Sequence, residues 1–253
     1  SGKCFYPIQV PEKQVCWMKA TLRGPGGHGS LPVTGGAMAK LADFLMKIDR
    51  QRLPVHITPV AKEMFGSISA NLNGISRLVL SQLTNPLLTN LALDMIGERA
   101  RIFSPLLHNT VSPTILHASN KVNVIPSEIT IELDGRLLPG FTPQDLIAEL
   151  KAIVGNEVEF EVLSYDPGPS DVDLGLFDTL AEILVDADPE GIPVPILMNG
   201  ITDGRFFSKL GIQTYGFLPM KLPEDFNFTT TIHSTDERIP ISAMQFGTQA
   251  MYQ

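Results

Sequence analysis

The chain has 253 residues, 43% of them hydrophobic and 18% charged, and so has ample core-forming material for a soluble globular protein of one large or two smaller domains. Its net charge of −8 and isoelectric point near 5.1, with no cluster of Lys and Arg, argue against a nucleic-acid surface. Cys4 and Cys16 are too few for a disulfide framework and sit in no Cys/His cluster that would suggest structural zinc.

In chain order, residues 15–22 read as a strand. A helix follows at about 36–48, where Ala37, Met38, Leu41, Leu45 and Ile48 share one face at helical spacing. A helical insertion occupies about 58–105. Within it the apolar stretch 78–96 is broken by Ser81, Gln82, Asn85, Pro86 and Asn90, so no membrane span is expected and a buried helical hairpin fits instead. A strand is expected near 112–117, and another where Ile129, Ile131 and Leu133 alternate with Glu128, Thr130, Glu132 and Asp134. Thr142 as N-cap, Pro143 at the first helical position and Asp145 in the first turn open a helix whose apolar stripe is Leu146, Ile147, Leu150, Ile153 and Val154. Val158, Phe160 and Val162 then alternate with three glutamates as a strand with one wet face. The order is βαββαβ, that of a split-βαβ, ferredoxin-like α+β domain.

Pro167-Gly168-Pro169-Ser170 marks a boundary, which divides the chain into 1–166 and 167–253. Beyond it a helix (about 174–185), a strand (196–198), a short helix (204–210) and a strand (213–217) suggest part of an α/β sheet.

Several local motifs carry chemistry. Gly24-Pro25-Gly26-Gly27-His28-Gly29-Ser30 would let backbone approach a ligand while presenting an imidazole able to stabilise an oxyanion; taken alone, it reads as a glycine-rich turn with an exposed histidine. Asn123, in Lys121-Val122-Asn123-Val124-Ile125-Pro126, could donate to a substrate carbonyl or simply make a turn. Arg136 lies on the polar side of its strand with Asp134, where an ion pair is the default. Asn199-Gly200-Ile201-Thr202-Asp203-Gly204-Arg205 supplies a guanidinium suited to a carboxylate, and Ile232-His233-Ser234-Thr235-Asp236-Glu237 supplies an imidazole suited to a metal.

In this combination and order, these motifs resemble the metallopeptidase family that holds aminoacylase, carboxypeptidase G, succinyl-diaminopimelate desuccinylase and carboxypeptidase S. The stretch Asn109-Thr110-Val111-Ser112-Pro113-Thr114, the form Arg136-Leu137-Leu138-Pro139-Gly140 and the helical insertion point to the carboxypeptidase S branch. The resemblance implies a ferredoxin-like lid or dimerisation domain over 1–166, followed by part of an α/β zinc-exopeptidase domain over 167–253. His28 would be the lid histidine that steadies the tetrahedral oxyanion across a homodimer interface. Asn123, Arg136, Gly200, Ile201, Thr202 and Arg205 would bind substrate, His233 would be a metal ligand, and Glu237 would match the acidic position after it.

The implied substrate is a small peptide or N-acyl amino acid with a free carboxylate, and the implied cofactor is zinc, two ions in the complete family enzyme. The family's His-x-Asp pair, bridging Asp and Glu-Glu pair have no counterpart before Val15, so the chain is expected to be inactive alone. The alternative is a non-catalytic dimerisation or ligand-binding module on the same scaffold. There is no signal-peptide pattern, and the compartment stays open with the cytoplasm favoured.

Overall fold

The computed structural model describes residues 3–168 and 173–253. Its elements are β1 (Phe5–Glu12), β2 (Gln14–Arg23), β3 (Gly27–His28), α1 (Ala37–Arg50), α2 (Pro59–Ala70), α3 (Gly74–Gln82), α4 (Thr89–Ile96), α5 (Ala100–Phe103), β4 (Thr110–His117), β5 (Val124–Ile125), β6 (Glu128–Leu137), α6 (Pro143–Val154), β7 (Glu159–Asp166), α7 (Phe177–Ala187), β8 (Ile192–Met198), α8 (Gly204–Ser208), β9 (Gly216–Phe217), α9 (Phe228–Thr231) and α10 (Ile241–Tyr252).

Alternation along β6 sets one layer. Ile129, Ile131, Leu133 and Leu137 are buried while Thr130, Glu132, Asp134 and Arg136 stay half-exposed on the opposite face. β6 pairs antiparallel with β2 and β4, and β2 pairs antiparallel with β7, giving the order β4-β6-β2-β7. The apolar face packs on α1 and α6 around Met18, Ala20, Leu41, Phe44, Leu146 and Leu150. Phe44 rather than Met38 completes the α1 stripe; Met38 is exposed because the buried arc is centred on Ala37, Leu41 and Phe44. α6 starts as its sequence dictates: Thr142 Oγ1 accepts from the Asp145 amide while the Asp145 carboxylate accepts from the Thr142 amide, a full capping box.

A second sheet, ordered β8-β1-β9, holds β1 parallel to β8. The strand over residues 5–12, which the sequence reading left in the lid, thus pairs with the C-terminal part of the chain. Pro7 and Pro11 hide it in the sequence, and they are tolerated because β9 pairs only with Ile8 and Gln9 between them. Tyr6, Ile8 and Val10 form a small core with Phe177 and Leu184 of α7. The expected boundary falls partly on Pro169 and Ser170, which lie outside the described residues.

The insertion folds as α2, α3, α4 and the one-turn α5. Val60, Phe65, Leu83, Leu93 and Leu107 form a third cluster with Val194 and Leu197 of β8. The hairpin of α3 and α4 is buried on its inner side alone: no residue of α3 is fully buried, and Leu78, Leu91 and Met95 are exposed. This corrects the expectation of a buried hairpin. The cause is position, since the hairpin forms the outer layer over this third cluster. Among the described residues no helix is long and apolar enough to cross a membrane.

Candidate active site

The glycine-rich segment after β2 folds into a two-residue ribbon, β3 against β5, with Gly27 opposite Ile125 and His28 opposite Val124. The Gly29 amide donates to the Asn123 carbonyl at 2.8 Å, which brings His28 and Asn123 side by side on an exposed tip. Gly26 makes the ribbon possible: a Cβ there would sit 2.9 Å from the Ile125 carbonyl oxygen and from the Ser127 nitrogen.

The ring of His28 is oriented locally. The Ser30 amide donates to its Nδ1 at 3.2 Å, and Ser30 Oγ lies 2.8 Å from the same atom. An amide N–H can only donate, so Nδ1 is an acceptor and the proton of the neutral ring sits on Nε2. Nε2–H makes no hydrogen bond among the described residues and faces outward as a free donor, the form needed to stabilise an oxyanion.

Arg136 grips Asp134 in the same strand through two hydrogen bonds, Nε to Oδ1 at 2.7 Å and Nη2 to Oδ2 at 2.9 Å. The pair stands on the polar face of the lid sheet, with its guanidinium fork already filled by a carboxylate.

The loop from β8 to α8 carries Gly200, Ile201, Thr202 and Arg205. It is fixed from β1 by Glu12, a residue the sequence reading passed over. Glu12 is 7% exposed, and its Oε2 accepts from both the Thr202 amide and the Thr202 hydroxyl, each at 2.7 Å. Thr202 Oγ1 in turn accepts from the Gly204 amide at 3.1 Å, which shapes the start of α8. A cavity of about 220 Å³ lies beside this loop, lined by Gln9, Glu12, Gly204, Ser208 and Thr214 among others.

Arg205 stacks over Phe206 at 4.6 Å, and its Nε lies 3.2 Å from Asp166 Oδ2, a charge contact without hydrogen-bond alignment. Lys209 pairs with the other Asp166 oxygen. The guanidinium expected to read a substrate carboxylate thus sits against the carboxylate that ends the last strand of the lid sheet.

Lys13, between β1 and β2, and Gln14, the first residue of β2, were also missed by the sequence reading. Gln14 Nε2 donates to the Leu138 and Phe141 carbonyls, and its Oε1 accepts from the Tyr165 hydroxyl and the Gly168 amide. Lys13 is fully buried and donates to the Pro105 and His108 carbonyls and to Thr110 Oγ1. Burial first, and then Arg136 nearby, push its ammonium down to about 7, against a smaller opposing pull from Glu149. The available signal was three successive polar residues between two apolar strands.

His233 follows α9 with φ of 55°, a left-handed conformation unusual for a non-glycine residue, and its ring is exposed and has no partner among the described residues. Glu237 is exposed in the same irregular segment. Among the described residues no group of three or more His, Cys, Asp and Glu side chains could hold a metal ion. The described residues therefore form no metal centre by themselves. The geometry brings His28 together with Asn123, and Thr202 together with Glu12, but among the described residues no hydrogen bond or ion pair links His233 to Arg205.

Fold and site together define a mixed α/β protein in which a helix-backed lid sheet carrying an outward imidazole is joined to a second sheet carrying a carboxylate-anchored loop. The chain belongs to the M20 peptidase family: the model of that family's peptidase dimerisation domain matches residues 10–161. It is 29% identical over 250 residues to the human N-fatty-acyl-amino acid synthase/hydrolase PM20D1, a match covering 94% of this chain and 48% of that protein. Over 244 residues it is 24% identical to a probable carboxypeptidase S-like 2 of Dictyostelium discoideum, covering 95% and 46%. The chain thus spans about half the length of the curated relatives it matches.

Among solved structures, the di-peptidase Dug1p of Saccharomyces cerevisiae superposes with a TM-score of 0.57 at 14% identity, covering 99% of this chain and 55% of that one. The M20 metallo-carboxypeptidase Sso-CP2 of Sulfolobus solfataricus gives 0.51 at 15%, covering 97% and 64%. At these identities the superpositions speak to fold alone. The relatives are M20 metallopeptidases and amidohydrolases, in line with the resemblance read from the motifs.

Proposed function

We propose that this chain is the lid and C-terminal part of an M20 amidohydrolase that cleaves the amide bond of an N-acyl amino acid or small peptide bearing a free carboxylate. The observation that carries this reading is the ribbon that holds His28 with Nδ1 accepting and Nε2–H free, a donor arranged for a developing oxyanion. The name of the human relative, an N-fatty-acyl-amino acid synthase/hydrolase, favours the N-acyl class.

The lid is taken as ferredoxin-like, supported by the strand order β4-β6-β2-β7 with α1 and α6 on one face, and as running from Gln14 to Asp166. It would form the homodimer through which His28 reaches a partner's site. Zinc, with His233 as one ligand, is an expectation that rests on the family; the described residues supply no further cluster for it. A second reading, a non-catalytic dimerisation or ligand-binding module, draws support from the engagement of Arg205 by Asp166.

The test is hydrolysis of an N-acyl amino acid by the enzyme that carries this chain, with and without His28→Ala. Loss of an oxyanion donor lowers kcat by about 10² to 10³ with little change in KM. Unchanged turnover in a folded dimer would remove His28 from catalysis. Absence of hydrolysis together with retained carboxylate binding would favour the module.

A further inference from the structure

Both ends of the helical insertion pass through one buried joint, where Val55 bridges to His108 and the His56 amide donates to the Leu107 carbonyl at 2.8 Å. Three groups of the surrounding protein grip this joint. Lys13 Nζ donates to the Pro105 and His108 carbonyls. The Glu149 carboxylate of α6 lies 2.6 Å from His56 Nε2 and accepts from the Asn109 side-chain amide at 3.1 and 3.2 Å. The Leu138 amide, just past β6, donates to Asn109 Oδ1 at 2.9 Å.

At the centre of the joint is His108, 1% exposed, an imidazole that the candidate site does not use. Its Nδ1 lies 2.8 Å from the Ser104 carbonyl oxygen, which only accepts, so the neutral ring carries its proton on Nδ1. Its Nε2 lies 3.2 Å from the side chain of Asn90 on α4, whose amide can turn either its nitrogen or its oxygen to the ring. The ring thus ties α4 to the turn that returns the insertion to β4. Packing beside it is incomplete, with a cavity of about 110 Å³ lined by Arg52, Ser104, His108 and Thr110 among others.

These hydrogen bonds suit both protonation states of the ring, but the surrounding charges suit only the neutral one. Arg52 pairs with Asp94 at 2.8 Å, Arg136 with Asp134, and the remaining carboxylate of the joint, Glu149, is engaged by His56 and Asn109. Among the described residues no carboxylate pairs with His108 itself. A second proton on the ring would be a buried positive charge without an acid to meet it. Burial is the largest cause holding His108 below the ordinary imidazole value; the Ser104 carbonyl opposes it, and Arg52, Lys13 and His56 add to it.

We infer that His108 makes the joint an acid-sensitive fastening: uptake of a proton on Nε2 loosens residues 53–57 and 104–109 from α4 and from the lid. A histidine held low in the folded state stabilises above its unfolded value of about 6.5, and that contribution is lost as pH falls from there towards the folded value. Lys13, held at about 7, has lost most of its own contribution before that range is reached, so the window below about 6.5 belongs to His108. Loosening reaches the candidate site through the same segment. Asn199, at the start of the β8–α8 loop, places Nδ2 3.5 Å from the Ile102 carbonyl, and Leu106 and Leu107 share an apolar cluster with Leu197 of β8. The fastening requires no turnover, so it stands or falls separately from the hydrolase reading.

The experiment is amide hydrogen exchange of the 253-residue chain between about pH 7.5 and about pH 5.5, corrected for the intrinsic pH dependence of exchange. Protection over 53–57 and 104–109 is expected to fall about tenfold across that range, the effect of one imidazole held well below 6.5, while amides of β2 and β6 keep theirs. In His108→Asn, which keeps a side-chain donor and takes up no proton, the fall should vanish; in His56→Gln it should persist. Should His108→Asn not fold, the ring nitrogen resonances of the wild type serve instead, with His108 gaining its second proton over the same pH range in which protection is lost. Protection that does not change with pH, or an equal fall in His108→Asn, overturns the inference. So does an equal loss in β2 and β6, which would make the acid effect global, a fall that vanishes in His56→Gln, or a ring that protonates with protection intact.

Discussion

Glu12 offers the sharpest test of how the candidate site is held. Its Oε2 receives two short bonds from Thr202, one from the amide and one from the hydroxyl, each at 2.7 Å. Hydrogen bonds to a charged group contribute about 1.5 to 3 kcal/mol each, so the pair contributes roughly 3 to 6 kcal/mol. Against this stands the cost of burying a carboxylate whose Oε1 has no hydrogen-bond partner among the described residues, an opposing term of about 1 to 3 kcal/mol. The net loss for Glu12→Ala is therefore about 2 kcal/mol, with the Thr202 amide left open to solvent exchange. Glu12→Gln keeps one acceptor oxygen for Thr202 and removes the charge, so it should lose less than Glu12→Ala. Urea unfolding gives the stability difference, and amide hydrogen exchange reports Thr202 and Gly204 directly. If Glu12→Ala unfolds at the wild-type midpoint with Thr202 exchange unchanged, the carboxylate does not anchor the loop. If Glu12→Gln is more stable than wild type, burial of the charge outweighs its bonds and the sign of the argument is wrong.

Other expectations follow from the same geometry. Thr142→Ala removes one half of the capping box on α6 and should cost about 1 kcal/mol in urea unfolding; a change under about 0.3 kcal/mol would mean the Asp145 carboxylate carries the cap alone. Lys13 has a folded value of about 7 against 10.5, so between those limits the unfolded chain holds the extra proton and stability rises with pH, by up to about 1.4 kcal/mol per pH unit. In Lys13→Met that rise should disappear, and an identical pH profile for the two proteins would show that Lys13 keeps its ordinary affinity for the proton. Asp166→Asn releases Arg205 and Lys209 and should tighten binding of a free carboxylate ligand severalfold in calorimetry, whereas unchanged affinity would show that Asp166 does not compete for Arg205.

The four-stranded sheet and the two helices packed on it were legible because those elements advertise themselves locally. Ile129, Ile131 and Leu133 alternate with polar residues, and Thr142-Pro143 with Asp145 carries the whole start signal of α6. What escaped the sequence reading depends on residues far apart in the chain. β1 contains two prolines and is stabilised by β8, more than 180 residues later, as the register of Phe5 with Ile192 shows. Met38 and Phe44 fit an apolar arc on α1 about equally well by spacing; only the placement of the sheet decides between them. His28 was legible as a candidate from its glycines, but its tautomer comes from Ser30, which takes part through its backbone. Glu12, Lys13 and Gln14 went unread, since nothing local says that all three side chains of a polar run point inward.

Those three residues occupy the crossing from one sheet to the other, and that placement gives the buried polar groups a common reason. Glu12 holds the β8–α8 loop, Lys13 holds the carbonyls where the insertion returns to β4, and Gln14 ties the end of β6 to Gly168 on the return crossing. Each bond joins segments more than 90 residues apart, so the joint is stiffened by directional contacts rather than by apolar packing, which would tolerate sliding. His28 on the lid and Thr202 on the loop can act on one substrate only if the angle between their sheets, or between one lid and a partner's sheet, is reproducible. A joint built from a buried carboxylate, a buried ammonium and a fully bonded amide fixes that angle more narrowly than leucines would. Replacing Gln14 by Leu, close in volume and free of hydrogen bonds, should therefore leave each sheet folded while broadening the angle between them. Small-angle scattering would register this as a wider distribution of particle dimensions, and a distribution identical to wild type would show that the joint is fixed by packing after all.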